Sequence, residues 1–277
     1  MNYKGKKIAV TGVNSFIGSA VVKRLQNLGA EVYSITGDTR DLSSFSLIDY
    51  KFDYLFHFAA PSSQVLFKRK PAYCIETTLK GLMNAAETCR KHGIRLIYPS
   101  TGLLSSDRYN EYAMCKKISE DYVKGLGIDA LGVRIFATYG PGEGHKADYA
   151  SVPYLFARDL VQGKTPVIYG DGTQSRDFVF IDDVVGAIVH LAEECHDPII
   201  DVGSGVKTSF NELIEIIRLN IQLYSNSKPD VEYIDRPAGY VDETKADPTA
   251  LKNYYDLQVD IPLGVKRMVD TFKRRRA

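Results

Sequence analysis

The amino-acid sequence predicts an α/β protein built on a doubly wound parallel sheet, with a smaller C-terminal α/β lobe. Three observations carry that expectation. Short apolar runs alternate with helical periods through most of the chain, the pattern left by strand–helix–strand crossovers. A glycine-bearing turn joins the first apolar run to the first helical period. The 277 residues suffice for one large core and an appendage.

Ile8-Ala9-Val10 is a short apolar run that reads as the first strand, and Phe16 to Leu28 follows it with helical spacing. Glu31 to Thr36 and Tyr54 to Ala59 are further short runs and read as strands. Ala72 to His92 is long enough for a helix, and Arg95 to Tyr98 returns to strand. The helix carrying Tyr112, the strand Leu131 to Phe136, the helix Val152 to Val161 and the strand and helix Phe178 to Glu193 continue the alternation. Beyond about residue 200 the rhythm breaks into shorter units around Pro229, Pro237, Pro248 and Pro262. The expected division is residues 1–140 with about 177–200 as a dinucleotide-binding domain, and about 141–176 with 201–277 as a substrate lobe. Ligand is expected in the cleft between them, outside the carboxyl ends of the strands.

Composition removes several classes of function. A hydrophobic content of 44%, a charged content of 25% and a net charge of +1 describe an ordinary globular protein with no footprint for nucleic acid. The basic run Lys273-Arg274-Arg275-Arg276 reads as a solvated helix end complementing the dipole. Cys74, Cys89, Cys115 and Cys195 are widely spaced, which argues for reduced thiols and against a disulfide framework or a metal site. The start runs straight into a strand and no stretch reaches membrane-spanning length, so a soluble, cytoplasmic, untargeted protein is expected.

Chemistry is concentrated in two places. After the first strand comes Thr11-Gly12-Val13-Asn14-Ser15-Phe16-Ile17-Gly18. Gly12 permits the tight turn, Gly18 lets helix and strand pack closely, and the helix N-terminus faces the turn, as a pyrophosphate site requires. This is the Rossmann-type arrangement. The second place is Glu111-Tyr112-Ala113-Met114-Cys115-Lys116, where a phenol and an ammonium stand one helical turn apart on one face. A neighbouring ammonium favours the phenolate and is expected to bring Tyr112 toward a pKa useful for acid/base chemistry.

Together these segments resemble the extended short-chain dehydrogenase/reductase family, the nucleotide-sugar epimerases, dehydratases and reductases. Phe56-His57-Phe58-Ala59-Ala60 resembles the family's strand ending beside the cofactor, and Tyr98-Pro99-Ser100-Thr101 its Ser-Ser or Ser-Thr strand end. Arg134 to Gly142 resembles Arg-x-Phe-Asn-x-Tyr-Gly-Pro, and the run Tyr169 to Val184 is the most specific match. The resemblance implies that Tyr112, Lys116 and Thr101 are catalytic, with Thr101 also on the substrate sugar. It implies cofactor contacts from Gly12, Asn14, Ser15, Phe16, Ile17, Gly18, Thr36, Arg40, Asp41, Leu42, Phe58, Ala59, Ala60, Thr78, Ser100, Phe136, Tyr112 and Lys116. Arg176 and Arg236 resemble the pair that clamps a substrate diphosphate, a role suited to permanently charged planar groups.

Departures from the family pattern narrow the reaction. Gly102-Leu103 follows Thr101 where dehydratases carry Asp-Glu, and Gly102 stands where the GDP-fucose synthase type has a cysteine. Simple hydride transfer remains, most plausibly at C4. The expected activity is reduction of a 4-keto nucleotide sugar, with 4-epimerisation as the alternative and a catalytically silent dinucleotide-binding sensor or scaffold as the reading from another class. Thr36-Gly37 ends the second strand without the usual acid. Asp38 can reach back to the adenosine ribose, whereas Arg40 can receive a 2′-phosphate, and NADP(H) is favoured over NAD. Ser15 replaces the middle glycine and can cap the helix, while Thr78 and Ala137 replace asparagines. Ten residues separate Thr101 from Tyr112, fewer than half the family's usual number, so a more open sugar site is expected unless a segment such as Gly142 to Tyr149 closes it. His57 and His145 are read as a packed strand residue and a solvated loop residue. Met114, Ile118 and Tyr122 are read as an outward apolar stripe, and the resemblance implies that this helix and the one over Thr77 to Cys89 pair across a two-fold axis, so a homodimer through a four-helix bundle is expected.

Overall fold

The computed structural model describes residues 1–106, 110–222, 230–237 and 239–274, with backbone only for Gln222, Lys273 and Arg274. Pro229 and most of the C-terminal basic run therefore lie outside the described side chains. The chain divides into two compact units, residues 1–135 with 185–202 and 249–256, and residues 136–184 with 203–248 and 257–277. The expected boundary near 140 lies at 135, and the chain returns to the first unit at 185 rather than near 177.

The first unit holds a six-stranded parallel sheet. Its strands β1 (Lys7–Thr11), β2 (Glu31–Ile35), β3 (Tyr54–His57), β4 (Arg95–Thr101) and β5 (Ala130–Ile135) are joined by a sixth, Ile199–Val202. The order is β2-β1-β3-β4-β5 followed by Ile199–Val202, all parallel. Strand order reverses between β1 and β3, which opens a crevice at their carboxyl ends, where Thr11 lies opposite His57 in register. Two details differ from expectation. The run at Phe178 is not in this sheet, and the strand at Ile199–Val202 was missed because four residues after a helix end carry too little pattern.

Helices α1 (Phe16–Asn27), α2 (Gln64–Arg69), α3 (Pro71–His92) and α4 (Glu111–Leu126) connect these strands. α3 begins with Pro71 and ends on Gly93 in the left-handed region, φ 67°, so its ends are specified locally. Its Leu82, Ala85 and Ala86 pack with Ala9, Leu55 and Leu96 of the sheet and Val123 of α4, all buried. α3 also ties down the loop after β2, since Asn84 Nδ2 donates to Thr39 O at 2.9 Å. All four cysteines are free and buried.

The second unit is built from three short ladders and three helices. Ala137–Tyr139 pairs with Phe178–Phe180 and Val167–Tyr169 with Glu232–Ile234, both parallel, and Ser175–Arg176 pairs antiparallel with Thr208–Ser209. Helices Val152–Val161, Phe210–Gln222 and Ile261–Arg274 pack on one another. Two fully buried or nearly buried carboxylates join the segments. Asp177 accepts from Ser204 N (2.9 Å), Ser204 Oγ (2.7 Å), Gly205 N (2.8 Å) and Ala246 N (3.2 Å). Asp183 accepts from the backbone of Gln258 and Val259. Among the described residues no helix is long and apolar enough to cross a membrane, and no cluster of potential metal ligands occurs.

Candidate active site

β4 and α4 bring the three sequence-selected acid/base residues together. Asn110 caps α4 by accepting from Ala113 N at 2.9 Å, and Glu111 in the first turn complements the dipole. That start places Tyr112 one turn before Lys116. The Tyr112 phenol interacts with Thr101 at the end of β4, which favours its ionised form. Lys116 Nζ donates to Pro99 O at 2.8 Å and lies 6.0 Å from the centroid of the Tyr112 ring. Phe67 of α2 braces that ring edge-on, with centroids 5.4 Å apart. Neither α2 nor Phe67 was expected, because a six-residue helix leaves little periodicity to read.

The expectation that Lys116 lowers the Tyr112 pKa is not met in this state. Burial pushes the phenol up to about 12, and the neighbouring Thr101 hydroxyl offsets only part of that rise. The ammonium is spent on the Pro99 carbonyl, and burial pushes it down to about 8. Tyr112 is a protonated phenol at neutral pH, able to donate to an oxygen that gains charge, and a positive charge brought against it would favour the phenolate.

Lys116 also has a pH signature. Its folded pKa of about 8 lies below the ordinary 10.5, so between those values the unfolded chain binds more protons and stability rises with pH. Below pH 8 both states are protonated and the buried charge opposes folding throughout. Thermal unfolding between pH 8 and 10.5 is expected to show wild type gaining stability relative to Lys116→Met. Parallel curves would mean that Lys116 titrates as an ordinary lysine.

Ser100, expected at the cofactor, directs its hydroxyl elsewhere. It donates to Glu120 at 2.5 Å, and Glu120 takes Arg134 Nε and Nη2 at 2.8 and 2.7 Å. Glu120 is 2% exposed, and this network fixes α4 against β4 and β5. No local motif announces it.

The turn after β1 has the form expected of a phosphate cradle. Gly12 has φ 69°, and a Cβ there would stand 2.5 Å from the Phe58 carbonyl carbon; a Cβ on Gly18 would stand 2.3 Å from Gly12 O. Ser15 caps α1, its Oγ accepting from Gly18 N at 3.1 Å. The first turn of α1 carries no acidic residue, so nothing anionic of its own opposes the positive end of the dipole. Phe16 and Ile17 open this helix, with Asn14 in the turn before it, and Phe58, Ala59 and Ala60 follow β3 beside it. His57 is buried neutral, its pKa pushed down to about 3 by burial and by Lys116, with Nδ1 3.0 Å from Thr11 Oγ1. Its Nε2 and the Thr78 hydroxyl are buried without a hydrogen-bond partner, polar atoms that a bound dinucleotide or water can satisfy.

Beyond β2, Thr36 leads into the loop carrying Arg40. Arg40 is engaged by two carboxylates and an aromatic ring. Its Nε and Nη2 engage Asp38 at 3.0 and 2.6 Å, its Nη1 reaches Glu76 of α3 at 3.2 Å, and it lies over Tyr73. The guanidinium holds the Asp38 carboxyl down to about 2. Asp41 caps the turn Leu42–Phe45 through Ser43 N, and Leu42 is 55% exposed. Phe136 is buried in the second unit. His145 is an exposed loop residue with Nδ1 2.9 Å from Gly142 O.

The second unit brings the two arginines into one cluster. Arg176 Nη1 donates to Ser175 O (2.7 Å) and Asp242 O (3.2 Å), and Nη2 to Val241 O (2.7 Å). Its guanidinium lies between the rings of Phe210 and Tyr240, 5.6 and 5.7 Å from their centroids. Arg236 Nη1 donates to Asp242 Oδ1 at 2.8 Å and Nη2 to Asp171 Oδ1 at 3.0 Å. Asp242 thus touches both arginines, one through its backbone and one through its side chain.

The sequence model of the NAD dependent epimerase/dehydratase family matches residues 8–203, more than half of the chain. The chain belongs to that family. The chain is 27% identical over 314 residues to UDP-glucuronic acid decarboxylase 1 of Arabidopsis thaliana, covering 98% of this chain and 71% of that protein. It is similar to the UDP-glucose 4-epimerase of Thermotoga maritima, solved with UDP-glucose, at 25% identity and TM-score 0.89 over 98% of this chain and 100% of that one. It is similar also to the UDP-N-acetylglucosamine 4-epimerase of Methanobrevibacter ruminantium, solved with UDP-N-acetylmuramic acid, at 25% identity and TM-score 0.88, with 98% and 99% covered. The Rossmann-type fold and the extended short-chain dehydrogenase/reductase membership expected from the motifs hold for this epimerase/dehydratase.

Proposed function

We propose that this protein is an NAD-dependent nucleotide-sugar 4-epimerase. The observation that carries the chemistry is the Tyr112 phenol set beside Thr101 and one helical turn from the buried Lys116. In this reading Thr101 and Tyr112 share the oxygen on the reacting sugar carbon, Tyr112 removes its proton and later returns one, and Lys116 supports the phenol and a ribose hydroxyl. NAD, when bound, supplies the hydride acceptor and a positive ring. The similarity to two 4-epimerases supports this over the 4-keto reductase that the sequence favours.

The Arg40 cluster supports NAD over NADP. Asp38 and Glu76 oppose one guanidinium, which leaves local negative charge where a 2′-phosphate would have to sit and acceptors suited to a 2′-hydroxyl. Calorimetry is expected to give a smaller Kd for NAD than for NADP, and Asp38→Asn with Glu76→Gln to narrow that preference. A preference for NADP in wild type would overturn the assignment.

Arg176 and Arg236 are the groups proposed for the substrate diphosphate. Arg176→Ala is expected to raise KM about tenfold to a hundredfold with a smaller change in kcat, since binding that is equal in ground and transition states acts on KM. An unchanged Kd for UDP would make Arg176 a strut for the chain at Val241 and Asp242.

The assay that decides the function incubates purified protein with UDP-glucose, UDP-N-acetylglucosamine and UDP-glucuronic acid. Interconversion of C4 epimers without net change in nicotinamide absorbance is expected. Net oxidation of NADH or NADPH on a 4-keto sugar would make it a reductase, carbon dioxide release a decarboxylase, and cofactor binding without turnover a silent relative.

A homodimer is proposed as well. Met114 and Ile118 on α4 are 55% and 47% exposed and Met83 on α3 is 38% exposed, whereas Tyr122 turns inward and donates to Glu87 at 3.2 Å. Light scattering is expected to give twice the chain mass.

A further inference from the structure

The geometry points to Asp171 and Asp242 as specificity-determining residues, internal stand-ins for the substrate diphosphate that hold the Arg236 guanidinium until a ligand displaces them. This rests on the reading above that Arg176 and Arg236 receive a diphosphate.

Both terminal guanidinium nitrogens of Arg236 are already bonded to carboxylates, at 2.8 Å from Nη1 to Asp242 Oδ1 and 3.0 Å from Nη2 to Asp171 Oδ1, and Nη2 also donates to Gln174 Oε1 at 3.2 Å. The two aspartates come from different segments and both reach this arginine. Asp171 needs no arginine to stay where it is. It caps its own turn, accepting from Thr173 N at 3.1 Å and Thr173 Oγ1 at 2.7 Å, so the guanidinium can turn to another anion while Asp171 remains in place.

The contacts are also exchangeable. Asp171 and Asp242 are 68% and 55% exposed against 32% for Arg236, and ion pairs in such surroundings are weak and screened. Charge balance sets the consequence. Two aspartates offset two arginines, and Arg176 gives three bonds to carbonyls, so an approaching anion gains little until it replaces a carboxylate. A diphosphate presents paired oxygens on two groups and can match both guanidinium forks, whereas a single carboxylate or monophosphate only exchanges one weak pair for another.

Calorimetry with UDP tests this on the full chain, using Asp171→Asn, Asp242→Asn, the double variant and Arg236→Ala. Each single amide is expected to tighten UDP by about two- to fivefold, because it removes a competitor of surface-pair strength. The double variant is expected to show a steeper dependence of Kd on salt, since in wild type added salt weakens the competing pairs along with the ligand. Unchanged or weaker UDP binding by the amides, with unaltered thermal unfolding, would mean that the aspartates orient Arg236. If Arg236→Ala loses UDP while the amides gain nothing, only the stand-in role falls. If Arg236→Ala binds UDP as wild type does, the diphosphate assignment falls and takes this inference with it.

Discussion

Tyr112→Phe is expected to lose about 10²- to 10⁴-fold in kcat while keeping its fold and its affinity for NAD, the range typical of one proton-transfer group. The substitution is conservative here. The ring keeps its edge-on contact with Phe67, and Thr101 keeps its bond from Leu103 N at 3.2 Å. What is lost is the phenol's interaction with Thr101, worth no more than about 0.5–1.5 kcal/mol for a neutral pair. Thermal unfolding should therefore move by a few degrees at most while turnover collapses. Retention of wild-type turnover would sink the proposed chemistry, whatever sugar is used.

The largest effect on stability is expected at Asp177, where Asp177→Ala should cost on the order of 3–5 kcal/mol, the range for buried groups deprived of their partners. Its carboxylate is fully buried and satisfies four donors from two distant segments, Ser204-Gly205 and Ala246. Asparagine should rescue only part. Oδ1 takes both Ser204 donors and Oδ2 takes Gly205 N and Ala246 N, so an amide must point NH₂ at donors on one side. Denaturant unfolding of the three proteins checks the order wild type, Asn, Ala. A loss below about 1 kcal/mol in Asp177→Ala would mean that water replaces the carboxylate.

Much of the first unit was legible because its central strands are buried and its helices amphipathic, so periodicity marks both. β1, α1, α3 and α4 carry their own punctuation, from Ser15 to Asn110, Gly93 and Gly127. The proposed acid/base trio could be picked out for the same reason, since Tyr112 and Lys116 share one helix and Thr101 ends the strand packed against it. What escaped depends on partners far away in sequence. Phe67, Glu120 and Asp177 act through residues that only folding brings near, and the strand Ile199–Val202 is recognisable only once β5 is beside it. The partner of Arg40 is of the same kind. A lone arginine after a second strand suits a 2′-phosphate, and the proposal of NAD instead rests on Glu76, 36 residues further on.

That partner has a consequence for redesign. The loop after β2 is hydrogen-bonded to α3 by Arg40 to Glu76 and by Asn84 to Thr39, so under the proposed preference for NAD cofactor choice would be written in two elements that a loop transplant would separate. Grafting the corresponding loop of an NADP enzyme onto this scaffold would leave Glu76 facing the new phosphate and strand the Asn84 amide. A laboratory lineage selected for NADP should therefore change α3 early, and a lineage confined to residues 36–41 should stall.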